Sequence, residues 1–138
     1  MIELYEPVAQ EKRQTLTGRV QPVSIVGDRH LLSQALANLL DNAIKCTPEG
    51  GRIEVTLSSE PAGTTLAVAD TGPGIAPEHR EKVLERFFRV DPSRTTPGSG
   101  LGLSLVAAVA RLHDAALTLT DNHPGLRVTI AFPPANRA

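Results

Sequence analysis

A carboxylate followed by two closely spaced glycines, Asp70-Thr71-Gly72-Pro73-Gly74, stands directly after the apolar run Thr64 to Ala69. If that run is a strand, Asp70 lies at a sheet end, where the glycines let backbone approach a ligand closely. An ionised carboxylate only accepts hydrogen bonds, so it suits an amine such as the exocyclic amine of adenine. Guanine presents a carbonyl oxygen at that place and would leave a buried charge unpaired, a penalty on the order of 1–3 kcal/mol or more. An Asp-Gly type turn with no ligand would use the same residues.

Two further segments carry chemistry. Asn38, Asn42 and Lys45 fall at i, i+4 and i+7 of a helical pattern whose other face is leucine-rich, so they share one polar stripe. Two amides and an ammonium can offer an oxygen to a magnesium ion and a positive charge to a phosphate. A solvated helix face has the same spacing. Gly98-Ser99-Gly100-Leu101-Gly102-Leu103-Ser104 runs into an apolar helix, so free backbone N–H groups and the positive end of the helix dipole converge on an anion site. The segment lacks the Gly-Lys-Ser/Thr end of a Walker loop, and Leu103 replaces the third glycine of a dinucleotide fingerprint. A flexible glycine loop would look alike in isolation.

The elements that must position these groups follow from periodicity. Asp28 is a good N-cap, and Leu32, Leu36, Leu39, Leu40, Ala43 and Ile44 recur at helical spacing up to Cys46, before Thr47-Pro48-Glu49-Gly50-Gly51 ends the run. Arg52 to Ser58 and Thr64 to Ala69 read as a hairpin across the loop Ser58 to Gly63. Pro77 to Phe88 reads as a helix, and Arg89 to Gly98 is polar, contains prolines and has no period, as a nucleotide lid would. Leu101 to His113 is an apolar helix, and Ala116 to Asp121 and Leu126 to Phe132 are closing strands around the turn Asn122-His123-Pro124-Gly125. Toward the amino terminus, Glu6 to Gln14 has the polarity of a helical turn, and Leu16 to Val26 that of short strands broken at Gly18 and Pro22. The predicted fold is α+β: a two-layer sandwich of a mixed sheet with about three helices on one face.

Composition narrows the function classes. With 138 residues, 41% of them hydrophobic, the chain suits one domain with a single core. Its 14 basic and 15 acidic residues leave a net charge of −1, which gives no general attraction to nucleic acid or an anionic membrane. Trp is absent and aromatics make up 3%, too few for stacking platforms along single-stranded nucleic acid. A single cysteine, Cys46, rules out an internal disulfide and a cysteine-based zinc site, which is compatible with a cytoplasmic compartment. No run approaches the roughly 20 apolar residues of a membrane helix, and the amino terminus lacks a basic segment followed by an apolar one.

Taken in order, four segments resemble the ATP-binding catalytic domain of bacterial sensor histidine kinases, in the superfamily that also holds gyrase, the heat-shock chaperone ATPase and the mismatch-repair ATPase. Asn38-Leu39-Leu40-Asp41-Asn42-Ala43-Ile44-Lys45 is similar to the N box, Asp70-Thr71-Gly72-Pro73-Gly74-Ile75 to the first glycine box, Glu85-Arg86-Phe87-Phe88-Arg89 to the phenylalanine box, and Gly98-Ser99-Gly100-Leu101-Gly102-Leu103 to the second glycine box. The resemblance spans Asp28 to Pro133 and implies the Bergerat-type fold. It further implies that Asn42 is a magnesium ligand, that Lys45 reaches a phosphate, and that Asp70, Gly72 and Gly74 line the adenine site. By the same resemblance the segment Gly98, Gly100, Leu101, Gly102 and Leu103 is expected to close over the triphosphate, with Arg94 either contacting phosphate or solvated. Leu4-Tyr5-Glu6-Pro7-Val8-Ala9 resembles the segment that joins such a domain to preceding dimerisation helices, so residues 1–15 are expected to be a junction and 16–138 the catalytic domain.

Two departures stand out. Cys46 replaces a common Tyr or Phe, and no His-Glu or His-Asp followed by Leu, a basic residue and Pro is present, so the phosphoacceptor motif is absent. His30, His79, His113 and His123 have structural or solvent explanations. Hydrolysing relatives carry Glu where Asn38 stands, and Asn cannot take a proton from water; a histidine nucleophile needs little help from a base. The expectation is therefore phosphoryl transfer from Mg-ATP to a histidine on a separate dimerisation domain, and then to a response regulator, by a monomeric cytoplasmic fragment. A serine kinase of the anti-sigma-factor type, a hydrolase and a bare nucleotide-binding module are the rivals. Phe87-Phe88 speaks against the first, Asn38 against the second.

Overall fold

Alternation of apolar and polar residues builds the sheet. In β5 (Leu126–Phe132) the buried residues are Leu126, Val128, Ile130 and Phe132, every second position. Ile53 and Val55 of β2 (Arg52–Glu60) and Val68 of β3 (Gly63–Asp70) point to the same core. The computed structural model describes residues 2–21, 27–60, 63–72, 102–122 and 124–133. Among these, β1 (Thr15–Val20), β2, β3, β5 and β4 (Ala116–Asp121) form one five-stranded sheet in the order β1-β2-β3-β5-β4. The β1–β2 pair is parallel and the others are antiparallel, so the sheet is mixed.

Three helices complete the described fold: α1 (Ile2–Glu11), α2 (Arg29–Cys46) and α3 (Gly102–Leu112). Ala35, Leu39, Leu40, Ala43 and Ile44 of α2 and Val106, Val109 and Ala110 of α3 join the sheet residues in one core. The expected α+β sandwich is thus observed. The boundaries differ in places. β1 runs straight through Gly18, which pairs with Val55, because a glycine in an edge strand keeps the backbone groups that one neighbouring strand requires. The predicted helix 77–88 and the lid 89–98 lie outside the described residues.

Where a helical turn was expected, α1 has ten residues and contains Pro7. Proline removes one intrahelical hydrogen bond, and packing offsets it: Ala9 is fully buried and Tyr5 packs against the core. Burial, and secondarily the Asp41 carboxylate on α2, holds the Tyr5 phenol above its usual range. At the end of α1, Arg13 takes a left-handed φ of 55° and the Gln14 N–H returns to the Ala9 carbonyl at 2.9 Å, the closing bond of a Schellman turn.

That turn aims two side chains at the carboxyl end of α2. Gln14, buried, donates from Nε2 to the carbonyls of Ile44 (2.9 Å) and Thr47 (2.6 Å), and the Lys12 ammonium reaches the Ile44 carbonyl at 2.6 Å. Two carbonyls facing one nitrogen fix the orientation of the amide. The last carbonyls of a helix have no intrahelical donor, so this corner serves as the cap of α2. Replacing Gln14 by Leu strands the Thr47 carbonyl and leaves that of Ile44 to Lys12 alone, and should lower stability by about 1–2 kcal/mol. Urea unfolding checks this; a change below about 0.5 kcal/mol would show that water replaces the amide.

Candidate functional site

Asp70 is the last residue of β3, and it is buried. Its Oδ1 accepts the N–H of Gly72 at 2.9 Å and the N–H of Leu126 at 3.3 Å. Both bonds fall on one oxygen, and Oδ2 accepts none among the described residues. Burial raises the Asp70 carboxyl above the ordinary carboxylate range, while the two backbone N–H groups pull it the other way. A buried acceptor with one oxygen held and the other unbonded among the described residues can receive an amine donor.

Neighbouring elements lock this end of β3. Thr71 exchanges bonds with Arg52, its N–H going to the Arg52 carbonyl (3.1 Å) and its hydroxyl accepting the Arg52 N–H (2.9 Å). Gly72 is seated on the end of α2: a β-carbon there would lie 2.5 Å from the Cys46 carbonyl oxygen. The glycine thus does for packing what the sequence assigned to ligand approach, since it brings the carboxylate end of β3 against the lysine end of α2.

On α2, the Asp28 carboxylate accepts from the N–H groups of His30 and Leu31 and caps the amino end. The other end carries the polar stripe: Asn38 and Asn42 are half-buried and Lys45 is exposed. None of the three is hydrogen-bonded through its side chain to another described residue. Gly102 opens α3, and Leu103 in its first turn packs against the core. Gly74, Arg94, Gly98, Gly100 and Leu101 lie outside the described residues.

His113 has the structural role expected of it. Its Nδ1 donates to the Val109 carbonyl at 2.8 Å, which leaves Nε2 to accept the Asp28 N–H at 3.0 Å. The ring ties α3 to the start of α2, and Phe132 meets it edge-on at 6.3 Å. Sequence reasoning missed the part that the turn between β4 and β5 plays at the site. Asn122 Nδ2 donates to the Asp70 carbonyl at 2.8 Å, and Gly125 lies against that same carbonyl. The turn itself was legible; its docking on Asp70, more than fifty positions away in sequence, is a tertiary contact that no local pattern announces.

The family model described as histidine kinase-, DNA gyrase B-, and HSP90-like ATPase matches residues 27–136, most of the chain. The chain belongs to that family. Among curated members of this ATPase family, it is 46% identical over 104 residues to the signal transduction histidine-protein kinase/phosphatase MprB of Mycobacterium leprae, an alignment covering 75% of this chain and 20% of that protein. The corresponding protein of Mycobacterium avium is 46% identical over 107 residues, again with 20% of its length covered. The chain therefore spans about a fifth of the length of these relatives. Among solved structures, a mycobacterial sensor histidine kinase MprB superposes with a TM-score of 0.83 at 37% identity, covering 96% of this chain and 92% of that one. The catalytic domain of histidine kinase ThkA gives 0.83 at 27% identity, with 95% and 87% covered. The ATP-binding catalytic domain implied by the four sequence boxes is thus the family to which the fold and the relatives assign the chain. No helix among the described residues is long and apolar enough to cross a membrane.

Proposed function

We propose that this domain binds Mg-ATP and transfers its terminal phosphate to a histidine on a separate dimerisation domain, which then passes it to a response regulator. The observation that carries the nucleotide half is the divided Asp70 carboxylate, with Oδ1 held by two N–H groups and Oδ2 bonded to none of the described residues. Asp70 receives the adenine amine, with Gly72, Gly74 and the 98–103 segment closing the pocket. Lys45, exposed beside the seat of Gly72, neutralises phosphate charge. Asn42, half-buried and with an amide that bonds no other described residue, fits magnesium as one oxygen ligand among waters and phosphates. Bound magnesium would supply charge neutralisation at the phosphates. Arg94 is a further candidate phosphate contact.

Asn38 decides between kinase and hydrolase. An amide in place of a carboxylate offers water no general base, so the residues favour an imidazole nucleophile that needs none. The domain works as a cytoplasmic monomer that docks on the histidine-bearing helices, with residues 1–15 as the junction to them.

Two experiments test this reading. Asn42→Ala should remove about tenfold of affinity in magnesium and little in its absence, because the amide oxygen is the metal ligand. Equal losses with and without magnesium, read by calorimetry, would refute the metal role. With labelled ATP, the chain alone should accumulate almost no phosphohistidine, while a matching dimerisation domain added as a second chain should be labelled weakly, the covalent tether being lost. Lys45→Ala should reduce that labelling. Strong acid-labile label on this chain by itself would place the acceptor among its own histidines and sink the division of labour.

A further inference from the structure

The backbone ladder between β3 and β5 ends one residue short of the carboxylate. Its last register pair is Ala69 with Arg127, and the next pair would be Asp70 with Leu126. Side chains complete that rung. The Leu126 N–H turns to Asp70 Oδ1 at 3.3 Å, and the Asp70 carbonyl receives Asn122 Nδ2 at 2.8 Å. Asn122 is in turn anchored by its own N–H to the Gly125 carbonyl at 3.0 Å. Because the acceptor is a carbonyl, the Asn122 group that faces it must be the amide NH2, whichever way the side chain is drawn.

We propose that Asn122 determines the base selectivity of the nucleotide site by fixing the backbone from which the Asp70 carboxylate projects. The inference rests on the reading that Asp70 receives the adenine amine. Selectivity is a difference between two affinities, and here the rejecting half is the more demanding. A guanine oxygen is penalised only while Oδ2 is forced to face it. A carboxylate free to swing aside escapes the clash and lets solvent or a rearranged base satisfy both oxygens. The bond from Gly72 moves with the chain if the end of β3 turns, and the bond from Leu126 of β5 holds a side-chain oxygen, not the backbone. The bond from Asn122 is to the backbone itself, and it ties that end to a turn belonging to other strands. Asn122 does not have to touch the nucleotide. It is a positioning residue.

The test measures the ratio of GTP to ATP dissociation constants, with magnesium, for the 138-residue chain and for Asn122→Ala, Asp70→Asn and the double variant, alongside thermal unfolding. Asn122→Ala should narrow the ratio on the order of fivefold, by weakening ATP and by admitting GTP. The double variant should show the same ratio as Asp70→Asn alone, since a residue acting through Asp70 has nothing left to position. Asn122→Asp keeps the size of the side chain but replaces the donor by an acceptor, and should narrow the ratio at least as far. Should Asn122→Ala fail to fold, Asn122→Ser is read in its place, and it too should narrow the ratio. A lowered melting temperature with an unchanged ratio would assign Asn122 a merely structural role and overturn the inference. So would an effect of equal size in both backgrounds. An Asp70→Asn variant with unaltered base preference would instead remove the adenine reading, and this inference with it; an altered preference in Asp70→Asn but not in Asn122→Ala removes the inference alone.

Discussion

Asp70→Asn is expected to weaken ATP binding by roughly 30- to 100-fold, the loss of a hydrogen bond to a charged acceptor worth about 2–3 kcal/mol. The free protein should nonetheless be at least as stable at neutral pH. The amide oxygen of Asn can still accept the N–H groups of Gly72 and Leu126, and the burial that raises the Asp70 carboxyl is then no longer opposed by a charge. The sign of the pH dependence follows. With its folded value raised above the unfolded one, Asp70 binds a proton more tightly in the folded chain, so it disfavours folding while ionised and ceases to do so as pH falls through the folded value. The stability advantage of Asp70→Asn should therefore be present at neutral pH and disappear in acid, while ATP affinity of the wild type falls over that same acid range as the acceptor is protonated. Thermal unfolding and nucleotide titration across pH 4 to about 8 check both. A variant that is less stable at neutral pH, or that keeps its ATP affinity, would contradict the picture of a carboxylate retained for its ligand.

Gly125→Ala should be the most disruptive single substitution in the described part of the site. Gly125 has a φ of 111°, a region L side chains rarely enter, and a methyl there would overlap the carbonyl oxygen of Asp70. Neither neighbour can yield cheaply, because both contacts are backbone. Strain of about 1–3 kcal/mol from the conformation adds to the overlap, and the sum is on the order of 4 kcal/mol or more. The expected result is a chain that is unfolded or strongly destabilised by circular dichroism, and whose residual folded fraction binds ATP poorly because the end of β3 has been displaced. A well-folded Gly125→Ala with normal affinity would mean that the β4–β5 turn and Asp70 do not share that space.

Legibility from sequence followed the range of the interactions. Leu32 to Ile44 announce α2 at helical spacing and Asp28 caps it through its immediate neighbours, so both helix and boundary could be read locally. β4 and β5 match their predicted bounds, with buried or half-buried residues at alternate positions along most of each strand. β1 was harder: only Leu16 of its six residues is buried, and what makes it a strand is the parallel pairing with β2, some 37 positions away. At the site, the types and spacing of Asp70, Asn42 and Lys45 allowed nucleotide chemistry as well as a plain turn and a solvated helix face, and the resemblance of four ordered boxes favoured the first. What the residues around Asp70 do could not be read, because Gly72 meets Cys46 and Asn122 meets the Asp70 carbonyl only after the chain has folded.

The corner after α1 also bears on how strain travels through the domain. Lys12 and Gln14 grip the carbonyls on either side of Lys45, those of Ile44 and Thr47, and the Gly50 N–H returns to the Arg13 carbonyl at 3.0 Å. Hydrogen bonds of this kind are directional, whereas apolar contacts let surfaces slide. A twist applied to α1 is therefore delivered as torque to the last turn of α2 as well as to β1, and the ammonium of Lys45 rides on the part of the molecule that turns.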